Sequence, residues 1–248
     1  MEIKTDGIVI GEAYTGEADR IITVLTRDAG MVRAFAKGSR AIKSPSSAAT
    51  RLLTYSSFIF YKSEKGNYNV KSAAVKEVFY SLRNDVVKLS LAEYFAQLVY
   101  EFSPSEEESE QVLRLILNAI YFLMEDKRDH RFLKAAVELR LISLAGYMPS
   151  VSLCTRCSVS SDEKQLYFCP SLGESFCFEH RPAAKAVAIT PAVIRSMEHI
   201  FSSSIEKLFA LKVSGTTLEL LSDLSEEYIL KNTEKKFEKP IEIPAQMD

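Results

Sequence analysis

GIVIGEAYTGEADRIITVLTRDAGMVRAFAKG, residues 7–38, decides how the chain begins. It holds three runs rich in Ile, Val, Thr and aromatic residues, separated by TGEAD and RDAG, which carry the Gly and Asp that turns demand. Two more runs of the same kind follow, LLTYSSFIFYK and NYNVKSAAVKEVF, after the breaks SRAIKSPSSAAT and SEKG. Five short strands with little helical periodicity predict a small closed or nearly closed β-barrel over residues 1–80.

Within that barrel the run MVRAFAKG is the most informative. Successive side chains of a strand point to opposite faces, so Val32, Ala34 and Ala36 share one side and Arg33, Phe35 and Lys37 the other. The second side reads basic, aromatic, basic. Single-stranded nucleic acid asks for that combination, cations to follow phosphates and a ring on which a base stacks, and the five-stranded oligonucleotide-binding (OB) barrel is a common host for it. The bland alternative stays open at this point: Phe35 belongs to the barrel core while Arg33 and Lys37 extend past it to water. The Ser-rich loop that follows adds Arg40 and Lys43 on a segment expected to be flexible.

Charge supports the first reading locally. The whole chain, 248 residues, is near neutral at −2, but residues 1–80 hold 12 Lys and Arg against 8 Asp and Glu, net +4. The remainder then carries 19 against 25, net −6. Arg27, Arg33, Lys37, Arg40, Lys43 and Arg51 lie close together in sequence with Asp28 the one acidic residue among them, as in a phosphate-facing segment. A solvated basic surface without a ligand would look the same.

Beyond residue 80 the period lengthens to that of helices. KLSLAEYFAQLVYEF puts Leu89, Ala92, Phe95, Ala96 and Val99 on one stripe. SPSEEESE gives an acidic first turn to a second helix, and VLRLILNAIYFLM, apolar nearly all round, predicts a buried core helix. RFLKAAVELRLISLAGYMP is a third, ended by Gly146 and Pro149. In TPAVIRSMEHIFSS, Thr190 is the expected N-cap and Pro191 the first helical residue. Two or three short helices run on to about residue 232, and residues 236–248 read as a flexible tail. The domain plan is thus a barrel at 1–80 and a helical domain at 81–235 with a metal-binding insertion at about 150–182. With 47% apolar and 26% charged residues and no run long enough to span a bilayer, a cytoplasmic globular protein without a membrane partner is expected.

That insertion is marked by two close pairs. CTRC places Cys154 and Cys157 with two residues between them, and CFEH does the same for Cys177 and His180, with 19 residues between the pairs. A CxxC turn points two sulfurs at one spot, and two such turns complete the four-ligand shell of a tetrahedral zinc ion. Cys169 competes with His180 for the fourth place, but His180 makes the second pair mirror the first, so Cys169 is expected to be a buried free thiol. Four protein ligands leave no open position, which makes Zn2+ structural and not catalytic. His130 and His199 stand alone on helical stretches, and Glu106 and Glu108 lie in a helix start where they cap. GxSxG, HExxH and a phosphate-cradling Gly-rich loop are all missing from the sequence, and a non-enzyme is expected.

GEADRI followed by a strand and AKGSR, the helix ending LRLISLAGYMP directly before CTRC, and YFCPSLGESFCFEH together resemble the bacterial RecO family of recombination mediators. The resemblance covers roughly residues 1–195. It implies an α+β chain, an N-terminal OB barrel followed by a helical domain with a zinc-binding loop. It implies a protein of DNA repair and homologous recombination that binds single- and double-stranded DNA and anneals complementary strands. With RecR and the C-terminal tail of the single-stranded-DNA-binding protein, it would help load RecA, close to the nucleoid. In metal-bearing relatives the second pair is CxxC, and here His180 takes the last place. Joined to the strand reading, the resemblance assigns Arg20, Arg33, Phe35, Lys37, Arg40 and Lys43 to DNA. The competing readings are a zinc-containing RNA-binding OB protein and a protein–protein adaptor without affinity for DNA.

Overall fold

A computed structural model describes residues 2–64, 66–102, 104, 106–182 and 186–232. The expected tail at 236–248 lies outside them. Five strands, β1 (Glu2–Thr15), β2 (Asp19–Thr26), β3 (Met31–Ala36), β4 (Thr54–Lys62) and β5 (Tyr68–Val78), close into a barrel in the order β1-β2-β3-β5-β4. β4 pairs back onto β1, and every pairing is antiparallel except β3 with β5, which run parallel. The five-stranded count and this closure are those of an OB barrel.

The period-two pattern builds the interior. Val9, Ile22, Val24, Val32, Ala34, Phe58 and Phe60 form the core, with the Phe58 and Phe60 rings stacked at 5.1 Å between centroids because residues two apart on β4 share a face. Gly7 sits where β1 pairs with both β2 and β4, and a Cβ there would lie 2.6 Å from the Leu25 carbonyl oxygen. Only glycine fits that approach. After a 3-10 turn (Tyr80–Asn84), the Asp85 carboxylate accepts from the amides of Val87 and Lys88 and starts α1 (Val86–Phe102). The stripe of α1 is wider than expected: Leu91, Tyr94 and Leu98 are buried too, while Leu89 is only partly covered. α2 (Glu106–Met124) departs from its expected all-round burial, exposing Gln111, Arg114 and Tyr121 and burying Val112, Leu115, Ile116, Ala119 and Leu123.

By its internal contacts the chain divides between Ile120 and Tyr121. In the second unit the buried helix is α3 (His130–Leu144), which packs on α4 (Pro191–Ser202) and α6 (Gly215–Asn232), with the single turn α5 (Ile205–Leu208) between those two in sequence. Thr190 caps α4 with Pro191 at its first position, and Gly146, at φ +87°, follows α3, as the sequence reading expects. α3 buries every residue from Phe132 to Ile142, three charged ones among them. The Lys134 Nζ lies 2.8 Å from Glu138 and 3.0 Å from Glu226, and Ser225 donates to Glu138 at 2.6 Å. Burial would lower the Lys134 pKa, yet the two carboxylates outweigh it and hold the ammonium charged. Arg140 donates to the carbonyls of Ile200 and Phe201 in the last turn of α4, where a cation meets the negative end of the helix.

The insertion carries its two close pairs of Cys and His residues in loop turns, as expected, and frames them with a small sheet that sequence did not announce. β6 (Ser150–Cys154), β7 (Leu166–Cys169), β8 (Glu174–Cys177) and β9 (Val187–Ile189) order as β6-β8-β7-β9. β7 and β8 form a hairpin whose turn closes at Gly173, φ +66°, and Phe168 of β7 packs edge-on against Tyr228 of α6.

Candidate nucleic-acid interface and metal centre

β3 alternates as predicted. Val32, Ala34 and Ala36 are buried; Arg33 and Lys37 are exposed and Phe35 is half-buried outside the core cluster. The outward residues gain neighbours through pairing: Phe35 lies opposite Ile21 of β2, and Arg33 opposite Thr23. On its other side β3 meets β5, with Phe35 opposite Asn69 and Ala34 opposite Tyr68. A shallow cleft results, lined by Ile21, Arg33, Phe35, Tyr68 and Asn69 together with the β4–β5 turn residue Asn67. Lys62 stands over the Tyr68 ring at 5.3 Å. Basic groups thus flank Phe35 and Ile21 on the outward face, while Tyr68, half-buried opposite Ala34, packs partly against the barrel core and reaches the cleft at its edge; an outward ring with cations beside it is the chemistry of base stacking with phosphate contacts. Ile21, Tyr68 and Asn69 were not singled out from sequence. For Tyr68 and Asn69 the signal is the non-local β3–β5 pairing, which no periodicity reveals; Ile21 follows from the β2–β3 register.

The β3–β4 loop carries the remaining cations, and here two expectations change. Arg20 does not face outward with the others. Only 6% exposed, it sends Nη1 to the Ser39 and Ser47 carbonyls at 3.0 and 3.2 Å and to Thr50 Oγ1 at 3.1 Å, with Nε 3.3 Å from the Glu12 carboxylate. It anchors the loop from beneath. The loop in turn is not slack: Ser56 Oγ donates to the Ala49 carbonyl, the Leu53 amide to Val9, and the Arg40 amide to Ala18. Arg40, Lys43 and Arg51 are exposed upon it, Arg40 lying over the Tyr14 ring at 4.4 Å.

In the small sheet, β6 and β8 are parallel neighbours, so their C-terminal ends bring both close pairs to one place. Each pair is a turn: the Ser158 amide donates to the Cys154 carbonyl at 2.8 Å and the His180 amide to the Cys177 carbonyl at 3.2 Å. The ligand atoms of Cys154, Cys157, Cys177 and His180 all lie within 4.8 Å of one another. Cys157 Sγ is 3.8 Å from Cys177 Sγ, and His180 Nδ1 is 3.8 Å from Cys154 Sγ and 3.2 Å from Cys177 Sγ. A tetrahedron with metal–sulfur bonds of about 2.3 Å has edges of about 3.8 Å, and the four atoms are gathered on that scale, as around one ion. All four cysteines are free thiols. Cys169 stands elsewhere, buried and 3.4 Å from the Ser171 hydroxyl, opposite Glu174 on the hairpin and so about 10 Å along the strand from Cys177. Burial pushes the Cys154 thiol up, but amides of Cys177, Arg156 and Cys157 outweigh it and bring its pKa to about 6. Cys177, beside the Glu179 carboxylate and buried, is pushed up to about 11, an effect that a cation at the centre of the cluster opposes. His130 and His199 lie apart from this cluster, bonded to Asp126 and to the Lys207 carbonyl. Among the described residues no helix is long and apolar enough to cross a membrane.

Residues 1–79 match the family model described as Recombination protein O N terminal, and residues 83–240 match Recombination protein O C terminal. The chain is 36% identical over 241 residues to DNA repair protein RecO of Acetivibrio thermocellus, covering 96% of this chain and 94% of that one. It is 26% identical to DNA repair protein RecO of Alkaliphilus metalliredigens, covering 95% of each, and 28% identical to that of Symbiobacterium thermophilum over 94% of this chain and 93% of the other.

Proposed function

This chain belongs to the Recombination protein O (RecO) family of DNA repair proteins, and from that premise we propose that it grips single- and double-stranded DNA on the outer face of its barrel and anneals complementary strands. The observation that carries the reading is the outward row Arg33, Phe35, Lys37 beside Ile21, with Tyr68 at the edge of the same cleft, continued by Arg40 and Lys43 on a loop held in place from below. Annealing needs no bond to be broken. Cations that neutralise phosphate repulsion let two strands approach, and rings that accept unstacked bases keep them open to pairing. The protein acts in this reading as a mediator and not as an enzyme, in the cytoplasm near the nucleoid, with RecR and the tail of the single-stranded-DNA-binding protein as partners and RecA loading as the outcome. Residues 1–80 are its DNA-binding domain, 81–235 its helical domain.

Cys154, Cys157, Cys177 and His180 hold Zn2+ in this proposal. The ion supplies a cross-link between two turns and, with four protein ligands, no chemistry.

Fluorescence anisotropy with DNA and RNA oligonucleotides at several salt concentrations tests the reading. Affinity should fall on a logarithmic plot with a slope of about −0.7 for each phosphate neutralised on a single strand. Reversing Arg33 and Lys37 to Glu together should weaken binding roughly 10-fold or more at low salt, and strand annealing followed by energy transfer should slow with it. Unchanged DNA binding in that variant favours the adaptor, and strong preference for RNA favours the RNA-binding reading. Mixing the protein with RecR and with the tail peptide tests the partners directly.

A further inference from the structure

Ile42 stands wholly in solvent, 103% exposed, on the same β3–β4 loop. An isolated exposed aliphatic is ordinary on a protein surface. What surrounds this one is not.

Its position is fixed from below and from within. Ala41 donates its amide to Gly38, and Ser44 donates to Ala41 at 2.9 Å, so Ile42 is a central residue of a closed turn and has no neighbour to fold back upon. Both sides of the loop's base are held by the Arg20 guanidinium, through Ser39 on one and Ser47 and Thr50 on the other. A buried cation is tolerated only with its partners in place, so the arrangement specifies the loop's shape and with it the direction of the tip. A slack loop would let Ile42 collapse onto the barrel. This one presents it.

The tip's neighbours name the ligand. Arg40 and Lys43 flank Ile42 in sequence and are exposed, Arg51 is exposed at the loop's far foot, and no acidic residue stands between Asp28 and Glu64. Arg40 is steadied over the Tyr14 ring. An apolar protein pocket would welcome Ile42, but the cluster of exposed cations around it asks for a polyanion whose interior is apolar. Duplex DNA is such a ligand: phosphates line its edge, and the stacked bases behind them accept an aliphatic wedge once a step is opened. An aliphatic side chain gains little from a single strand, whose bases stack better on a ring; Phe35 and Tyr68 lie on the β3–β5 cleft, and the ring nearest the loop, Tyr14, carries Arg40 on its face.

We infer that Ile42 is an intercalating wedge: with duplex phosphates against Arg40 and Lys43, its side chain enters between adjacent base pairs, unstacks that step and kinks the helix. The inference rests on the DNA-binding reading above and divides the surface, the β2–β3 face for single strands and the loop tip for a duplex.

The test uses the full chain and a short duplex carrying 2-aminopurine at its central step, with donor and acceptor dyes at the two ends in a second sample. At saturation, followed by anisotropy, 2-aminopurine emission should rise about 2-fold or more as stacking is lost, and the ends should draw together. Ile42→Ala should lose most of both signals while its affinity for a single-stranded oligonucleotide changes less than about 2-fold. Ile42→Leu should restore them. The wild-type melting temperature should persist in both variants, because the side chain touches nothing. A wild-type complex that saturates with unchanged emission and end-to-end distance, or Ile42→Ala signals equal to wild type, would overturn the wedge and leave DNA binding intact. Absence of binding to any DNA would overturn both readings.

Discussion

In the barrel every strand is hydrogen-bonded on both sides, β4 returning to β1, whereas in the small sheet β6 and β9 are edges and β6 meets β8 at only two register pairs, Ser150 with Glu174 and Cys154 with Ser175. The barrel strands run to 14 residues; those of the sheet run from three to five. A closed sheet has no edge to protect and encloses its own core, here built round Phe58 and Phe60. The open one leans Phe168 on α6 and brings the Cys and His side chains of two turns together at the ends of β6 and β8. Where backbone pairing is sparse, four side chains suited to one metal ion converge, and in the proposed reading that ion takes its place. The two regions should therefore fail independently and for different reasons.

The largest effect should come from the ligands. Structural zinc in isolated finger peptides contributes about 10–16 kcal/mol near neutral pH, more than a typical domain's net stability. Cys177→Ala should abolish bound metal by elemental analysis and strip hydrogen-exchange protection from the amides of residues 150–157 and 174–180, leaving the barrel amides protected. Cys169→Ala should keep the metal. Metal retained without Cys177, or lost without Cys169, would overturn the ligand assignment. Next in size is the converse experiment. Phe60→Ala leaves a cavity in the barrel and should cost about 3–5 kcal/mol by denaturant titration, with the metal content unchanged. Metal lost along with the barrel would show that the two regions are not independent.

The same contrast governs what could be read beforehand. The barrel strands are long enough for alternation to show and are separated by turn residues, so all five were legible to within a few positions of their ends. The convergence of Cys154, Cys157, Cys177 and His180 was legible for another reason: the spacing of two close pairs brings them together whatever the strands around them. β6 to β9 were not, because a run such as LYFC or VAI is too short to hold a period, and their pairing is set by the hairpin turn and by α6. Charge misled in two places. Sequence counts Arg20 among the surface cations and cannot see that it lies beneath a loop; equally, it gives no sign that α3 turns Lys134, Glu138 and Arg140 inward to meet α4 and α6.

Arg20 offers a sharper, smaller test within the barrel. Arg20→Met keeps the length and removes the charge, leaving the Ser39 and Ser47 carbonyls without that donor. Hydrogen bonds to a charged group contribute about 1.5–3 kcal/mol, and the loss should be of that order. The loop amides of residues 39–51 should exchange faster while β1, β2 and β4 stay protected. Duplex affinity should fall more than single-strand affinity, since the cleft of Phe35 and Tyr68 does not depend on the loop's anchor. Equal losses for both ligands would mean that the loop and the β3 face form one surface, not two.

The smallest effect separates the two regions by acid. Metal ligands must be deprotonated, so lowering the pH releases the ion through the range in which imidazole and thiolates take up protons. The barrel has a different acid-sensitive group. Asp6 on β1 accepts from Ser57 Oγ at 2.6 Å and lies 2.5 Å from both Arg27 Nη2 and Lys76 Nζ. Burial alone would raise its pKa, but the bonds to Lys76 and Ser57 and the charges of Lys76 and Arg27 prevail and hold it below the usual carboxylate range. A depressed folded-state pKa stabilises the fold above the unfolded value of about 3.9, and that contribution is lost only as the pH falls through the lower, folded value. Acid titration followed by metal release and by barrel amide protection should then show two transitions, the metal leaving first. Asp6→Asn should remove part of the pH dependence of the second and leave the first where it was. A single transition, or one in which Asp6→Asn moves metal release, would mean that the closed and the clasped regions share one cooperative unit.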